Sequence, residues 1–157
     1  MSYRVIEGRT MNVRIEGVEP LTVKVNTHGN ELPVSHGDWI DLSSAEDVRM
    51  KAGEFRLISL CVSMELPEGY YAKVLPRSST PGRHGIIMAN SMGIIDHDYN
   101  GDSDVWMFPA YAIRDTEIRK GTRIAQFCVV KQEEPVKLVQ VESLGNEDRG
   151  GFGSTGV

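Results

Sequence analysis

Turn-forming residues recur so closely along this chain that no long helix fits between them, and this punctuation limits the fold more than any other feature. The 157 residues include 16 glycines and 7 prolines, and the glycines are spaced rather than repeated, which excludes a collagen-like period and a Gly/Ser linker. Short apolar or alternating runs lie between the turns. VRIEGV and LTVKVNT read as early strands, and VRMKAG and FRLISLCVSM as two more joined by Ala52-Gly53-Glu54. Leu66-Pro67-Glu68-Gly69 predicts a turn before the strand YYAKVLP, which stops at Pro76. Gly85 to Met88 reads as a short strand, and VWMFPAYAI as another in which Pro109 predicts an edge position or a bulge. RIAQFCVVKQ is clearer, with Ile124, Gln126 and Cys128 on one face and Ala125, Phe127 and Val129 on the other. RSSTPGRHG is too rich in serine, proline and glycine for a stable helix, and Asp115 to Lys120 is the one short helix candidate, equally readable as a loop. Without a series of amphipathic helices the pattern predicts an all-β barrel, sandwich or jelly roll rather than βαβ units.

The length fits one domain with a core of its own. We divide it into residues 1–20, an N-terminal extension or added strand; 21–144, the β body; and 145–157, a flexible C-terminal arm whose sequence GNEDRGGFGSTGV has five glycines and little to bury. Lys and Arg total 17 against 22 Asp and Glu, a net charge of −5, so stable nucleic-acid or membrane partners are not expected. Two cysteines, Cys61 and Cys128, permit no disulfide framework and read as buried reduced thiols. The polar N-terminus and the lack of an 18-residue apolar run predict a cytoplasmic protein.

Several polar clusters have the composition of a phosphate or nucleotide site. Arg77-Ser78-Ser79 follows a strand directly, where a guanidinium fork and hydroxyls can grip phosphate oxygens; a plain turn would use the same residues. NSMGIIDHDYNG, from Asn90 to Gly101, presents the Asp96 carboxylate after two isoleucines, with the Tyr99 ring close by. An exposed hairpin would also account for it. Asp41 lies in the apolar frame Trp39-Ile40-Asp41-Leu42, and Gln126 interrupts an apolar strand, where each could serve a ligand or a backbone partner. In the tail, Arg149, Phe152, Gly153, Ser154 and Thr155 combine a cation, an aromatic ring, free backbone N–H groups and hydroxyls suited to a polyphosphate, but no GxGxxG or GxxxxGK[ST] pattern surrounds them. His28, His36, His84 and His97 lack zinc-hydrolase spacing.

Asp41-Leu42, Pro76-Arg77-Ser78-Ser79, Asn90 to Gly101, Gly121-Thr122-Arg123-Ile124-Ala125-Gln126 and Gly150 to Gly156 together resemble, in order and spacing, the five motifs of the trimeric deoxyuridine triphosphatases. The resemblance runs from about Asn26 to the end. It implies a jelly-roll-like β-barrel, a homotrimer with shared active sites closed by the C-terminal arm, and hydrolysis of dUTP to dUMP and pyrophosphate with Mg2+. By the same resemblance Asp96 is the base that activates the attacking water, Tyr99 lies under the deoxyribose, and Asn90 with the backbone around Gly93 and Ile95 reads uracil. Arg77, Ser78, Ser79 and Gln126 match phosphate contacts, and Asp41 supports the phosphate and Mg2+ site. Phe152 covers the base, and Gly153, Ser154 and Thr155 approach the γ-phosphate. Ser79 stands where the family motif has glycine. Arg149 stands three residues before Phe152, whereas the family arginine stands five before it, at the place of Glu147 here.

A related group that deaminates dCTP shares the fold, the arginine-serine motif and the nucleotide pocket but needs a further glutamate beyond the hairpin. Ser103 to Ala112 contains none. A noncatalytic nucleotide-binding trimer is the remaining alternative, against which the retention of Asp96, Tyr99, Gln126 and the GFGSTG arm argues.

Overall fold

The computed structural model describes residues 19–35 and 37–151. The expected strand VRIEGV, His36 and the tail residues Phe152, Gly153, Ser154 and Thr155 lie outside the described residues. The strands are β1 (Lys24–Asn26), β2 (Ile40–Ser43), β3 (Val48–Met50), β4 (Phe55–Ser59), β5 (Ser63–Glu65), β6 (Tyr70–Pro76), β7 (Ile86–Met88), β8 (Gly93–Ile95), β9 (Met107–Ala112), β10 (Thr116–Ile118) and β11 (Arg123–Lys131). One short helix, α1 (Thr80–His84), lies between β6 and β7. The body is therefore predominantly β, and every pairing is antiparallel: a four-stranded sheet β2-β11-β6-β8, a three-stranded sheet β4-β9-β7, and the pairs β1-β5 and β3-β10. Leu42, Ile58, Val74, Phe108, Ile118 and Phe127 bury their side chains in one cluster fed by all four sheets, and Trp106 packs edge-on against Phe127. Among the described residues no helix is long and apolar enough to cross a membrane.

Five local expectations change once the tertiary structure is known. Pro109 lies in β9, the central strand of its sheet, not at an edge. Its carbonyl accepts the Ala89 N–H just past the end of β7, and backbone N–H and C=O of one strand residue point the same way, so the missing proline donor falls where no ladder partner stands. Asp115 to Lys120 holds a strand, not a helix. Asp115 accepts from Lys51 Nζ at 2.7 Å and from the Ala52 N–H at 2.9 Å, which lays Thr116–Ile118 along β3 and buries Ile118. FRLISLCVSM breaks into β4 and β5 at Cys61, whose φ of 55° ends the extended run; β3 and β4 pair with β10 and β9 rather than with each other. Both cysteines are free but only partly buried.

The fifth change is α1, whose sequence is hostile to helix. Its stability comes from outside: the Arg114 guanidinium donates to the carbonyls of Gly82 at 2.7 Å and Arg83 at 3.2 Å, and Thr116 Oγ1 donates to His84 O. Pro81 occupies the first turn, and Gly85, at φ 60°, closes the last one through its N–H to Pro81 O. The helix is also pinned at its start, where fully buried Thr80 donates its hydroxyl to Ile124 O on β11 at 2.7 Å. Thr80→Val keeps the shape and leaves that carbonyl only the longer contact from the Arg77 N–H, at 3.4 Å. The expected cost is about 1–3 kcal/mol, read as a lower urea midpoint at unchanged slope.

Candidate active site

Strand register brings the first group of polar residues together. Gln126 on β11 pairs with Asp41 on β2 and with Leu75 on β6, so Asp41, Gln126 and the end of β6 stand side by side at one end of the four-stranded sheet. The Arg77 that follows β6 places Nε 2.9 Å from Asp41 Oδ1, and Arg123 places Nη1 3.0 Å from Asp41 Oδ2. Asp41 is only 7% exposed, so each carboxylate oxygen is desolvated and held by its own guanidinium. Gln126 donates Nε2 to Pro76 O at 3.2 Å, fixing the strand end from which Arg77 projects. Two guanidinium charges against one carboxylate leave the group with a net charge of +1, and Arg77 retains N–H donors beyond the one given to Asp41. Asp41, Arg77, Ser78 and Gln126 line a cavity of about 260 Å³ with Gly37, Asp38 and Trp39. Burial first, then the charges of Arg83, Arg77 and Arg114, holds the nearby His84 imidazole below the usual histidine range.

Arg123 has no singled-out role in the sequence reading, and strict alternation explains why. Three residues before Gln126, it belongs on the opposite face of a regular strand. A bulge between Arg123 and Ala125 shifts the register and lets Arg123 reach Asp41 on the Gln126 side. The same bulge buries Ile124 together with Ala125 and Phe127, so the expected Ile124-Gln126-Cys128 face holds only for its last two members. Ser79 caps α1 at φ −83°, ψ −11°, a conformation open to any residue, so serine in place of the family glycine costs no backbone strain.

The hairpin residues form a second group. β8 pairs with β6 through Gly93↔Val74, Lys73↔Ile94 and Ile95↔Ala72, and a Cβ at Gly93 would meet Val74 Cβ at 3.3 Å. Asn90 opens the turn before β8, with its carbonyl accepting the Met92 N–H across Ser91, which sits at φ 64°. Ile94 is exposed and Ile95 half-buried. Asp96 and Tyr99 are both exposed, and the Tyr99 N–H donates to Asp96 O at 3.2 Å. Within one chain the two groups stay apart. Asp96 falls opposite Tyr71 by extension of the β8–β6 register, whereas Arg77 lies six positions further along, roughly 20 Å away at the usual rise of a strand. Arg149 is exposed in the segment after β11, which forms no strand among the described residues.

Residues 39–156 match the dUTPase family. The chain belongs to that family, whose enzymes hydrolyse dUTP to dUMP and pyrophosphate. This dUTPase is 52% identical over 147 residues to the SPbeta prophage-derived deoxyuridine 5'-triphosphate nucleotidohydrolase of Bacillus subtilis, a match covering 94% of this chain and 99% of the relative. That match leaves about ten residues of this chain uncovered. It is 39% identical over 131 residues to a deoxyuridine 5'-triphosphate nucleotidohydrolase of Rickettsia felis, covering 81% of this chain and 87% of that one. Among solved structures, a Staphylococcus bacteriophage 80alpha dUTPase superposes with TM-score 0.71 at 24% identity, covering 85% of this chain and 98% of the other. A Streptococcus mutans dUTPase superposes at 0.65 with 23% identity, over 73% and 98% of the two chains. At these identities the structural matches speak for the fold.

Proposed function

We propose that this dUTPase converts dUTP to dUMP and pyrophosphate at centres shared between copies of a homotrimer, each taking its Asp96–Tyr99 turn from one copy and its Asp41–Arg77–Gln126 group from another. The observation that carries this is the separation just described. Backbone positions roughly 20 Å apart on one sheet do not bring Asp96 and Arg77 to the same phosphorus, and the second copy supplies the missing half. An apolar sheet face supports the assembly: Phe55, Tyr111 and Ile87 form one cross-strand row and Leu57 with Pro109 the next, with Phe55 59% exposed. Beyond β11, Val136, Leu138, Val139, Val141 and Leu144 are exposed as well, which fits a segment covered by another copy. The jelly-roll barrel closes around this body, residues 21–144, and the arm, 145–157, folds over the site with Phe152 on the base and Gly153, Ser154 and Thr155 near the γ-phosphate.

In this reading Asp96 accepts the proton of the water that attacks the α-phosphorus. Arg77, Ser78 and Ser79 hold phosphate oxygens by charge-assisted hydrogen bonds, Asp41 and Arg123 fix the Arg77 fork, and Gln126 orients the water beside it. Tyr99 packs under the sugar and leaves no room for a 2′-hydroxyl, while Asn90 and the backbone at Gly93 and Ile95 read the uracil edge. The donor set suits Mg2+ carried by the substrate: Asp41 already has two guanidinium partners, and this ion keeps waters and takes phosphate oxygens. Asp41 would reach it through water, and when bound it supplies neutralisation of the triphosphate charge. The two unpaired thiols suit the cytoplasm.

The test is pyrophosphate release from dUTP, UTP, dTTP and dCTP with Mg2+. Preference for dUTP by about 10²-fold or more in kcat/KM is the expected outcome. Equal turnover of UTP, release of ammonia from dCTP, or binding without turnover would each overturn the reading.

A further inference from the structure

The turn that carries Asp96 and Tyr99 is fastened to the rest of the chain by a closed ring of hydrogen bonds. β8 ends at Ile95, and the backbone is next held at Trp106, whose N–H meets Val62 O at 2.8 Å. Between them, among the described residues, the hydrogen bonds to other parts of the chain all run through Asp102. Ser63 Oγ donates to Asp102 O at 2.9 Å. A hydroxyl has one proton to give, so the 2.9 Å contact between Ser63 Oγ and His28 Nε2 is donated by the imidazole. The His28 backbone N–H donates to Asn26 Oδ1 at 2.9 Å, and Asn26 Nδ2 donates to Asp102 Oδ1 at 3.0 Å, which closes the ring and fixes the orientation of the Asn26 amide. Asn26 and buried Ser63 are register partners in the β1–β5 pair. His28 adopts φ 49°, a left-handed conformation at a non-glycine residue, in the turn from which its N–H and its ring both reach the ring of bonds.

The geometry points to Asn26, His28 and Ser63 as positioning residues that set where the Asp96–Tyr99 turn stands against the nucleotide. The inference rests on the roles given above to Asp96 and Tyr99. Tyr99 is three residues from Asp102, and Gly101 between them is tightly placed: a Cβ there would lie 2.9 Å from Asp104 Oδ2, which accepts the Gly101 N–H. Displacement at Asp102 therefore passes along a short, bonded segment to the ring that discriminates deoxyribose from ribose.

The test compares the full-length protein with Asn26→Ala, Ser63→Ala, Asp102→Ala and Asp102→Asn, measuring kcat and KM for dUTP and UTP beside the thermal midpoint. Asn26→Ala alters an exposed contact and leaves the core untouched, so it reports even where Ser63→Ala weakens the fold. The expected result is a fall of about tenfold in the preference for dUTP over UTP in Asn26→Ala and Asp102→Ala, with KM for dUTP raised. Asp102→Asn keeps both acceptor oxygens of the ring and retains the native preference. Native preference in Asn26→Ala and Ser63→Ala, or equal loss in Asp102→Asn and Asp102→Ala, overturns the positioning role. Native turnover by Asp96→Asn instead overturns the underlying reading of the site, which separates the two failures.

Discussion

Asp96→Asn is expected to lower kcat for dUTP by about 10²–10⁴-fold while KM stays near its native value. The substitution preserves size and removes the proton acceptor. Asp96 is exposed just beyond β8, and the contact it makes with the following turn uses its backbone carbonyl, so the fold has little stake in its carboxylate. A thermal midpoint within a degree or two of the native value would show that the loss belongs to the chemistry. Pyrophosphate release at the native rate would remove Asp96 from the mechanism.

Co-expression of Asp96→Asn with Arg77→Ala is expected to restore activity that neither protein has by itself. Arg77→Ala removes the guanidinium that faces the phosphates, with an expected loss of about 10²-fold or more, and leaves Asp41 paired with Arg123. If each centre draws Asp96 from one copy and Arg77 from another, random equal mixing gives about one centre in four with both native residues. The mixture should then turn over dUTP at roughly a quarter of the native rate per centre. If a single copy supplied both residues, no centre in the mixture would be intact, and activity would stay at the level of the single variants. Turnover by the co-purified mixture, tagged on one variant, distinguishes the two outcomes directly.

Where the sequence was legible, the reason is local chemistry. The spacing of glycine and proline forbids long helices, and alternation within β6 and most of β11 follows from the pleat of a strand with one buried face. The types of residue a phosphate site needs, Arg77 with its serines, Asp41 and Gln126, are visible wherever they fall, and so is a carboxylate beside a tyrosine at Asp96 and Tyr99. Four features were not legible because their causes lie far along the chain. α1 exists because Arg114 and Thr116 satisfy its carbonyls. Pro109 is tolerated in a central strand because β7 ends beside it. Arg123 joins Asp41 because of one bulge, and the ring at Asp102 depends on the β1–β5 register.

The composition of the site, then, was determined by the sequence: which groups donate, which accept and which carry charge are covalent facts. Tertiary structure alone decided their arrangement. Antiparallel register places Asp41, Arg77 and Arg123 within 3.0 Å contacts from three separate segments, and the same register sets Asp96 far down the sheet from them. Distance between residues remote in sequence is a property of pairing, and pairing is chosen by the whole core at once.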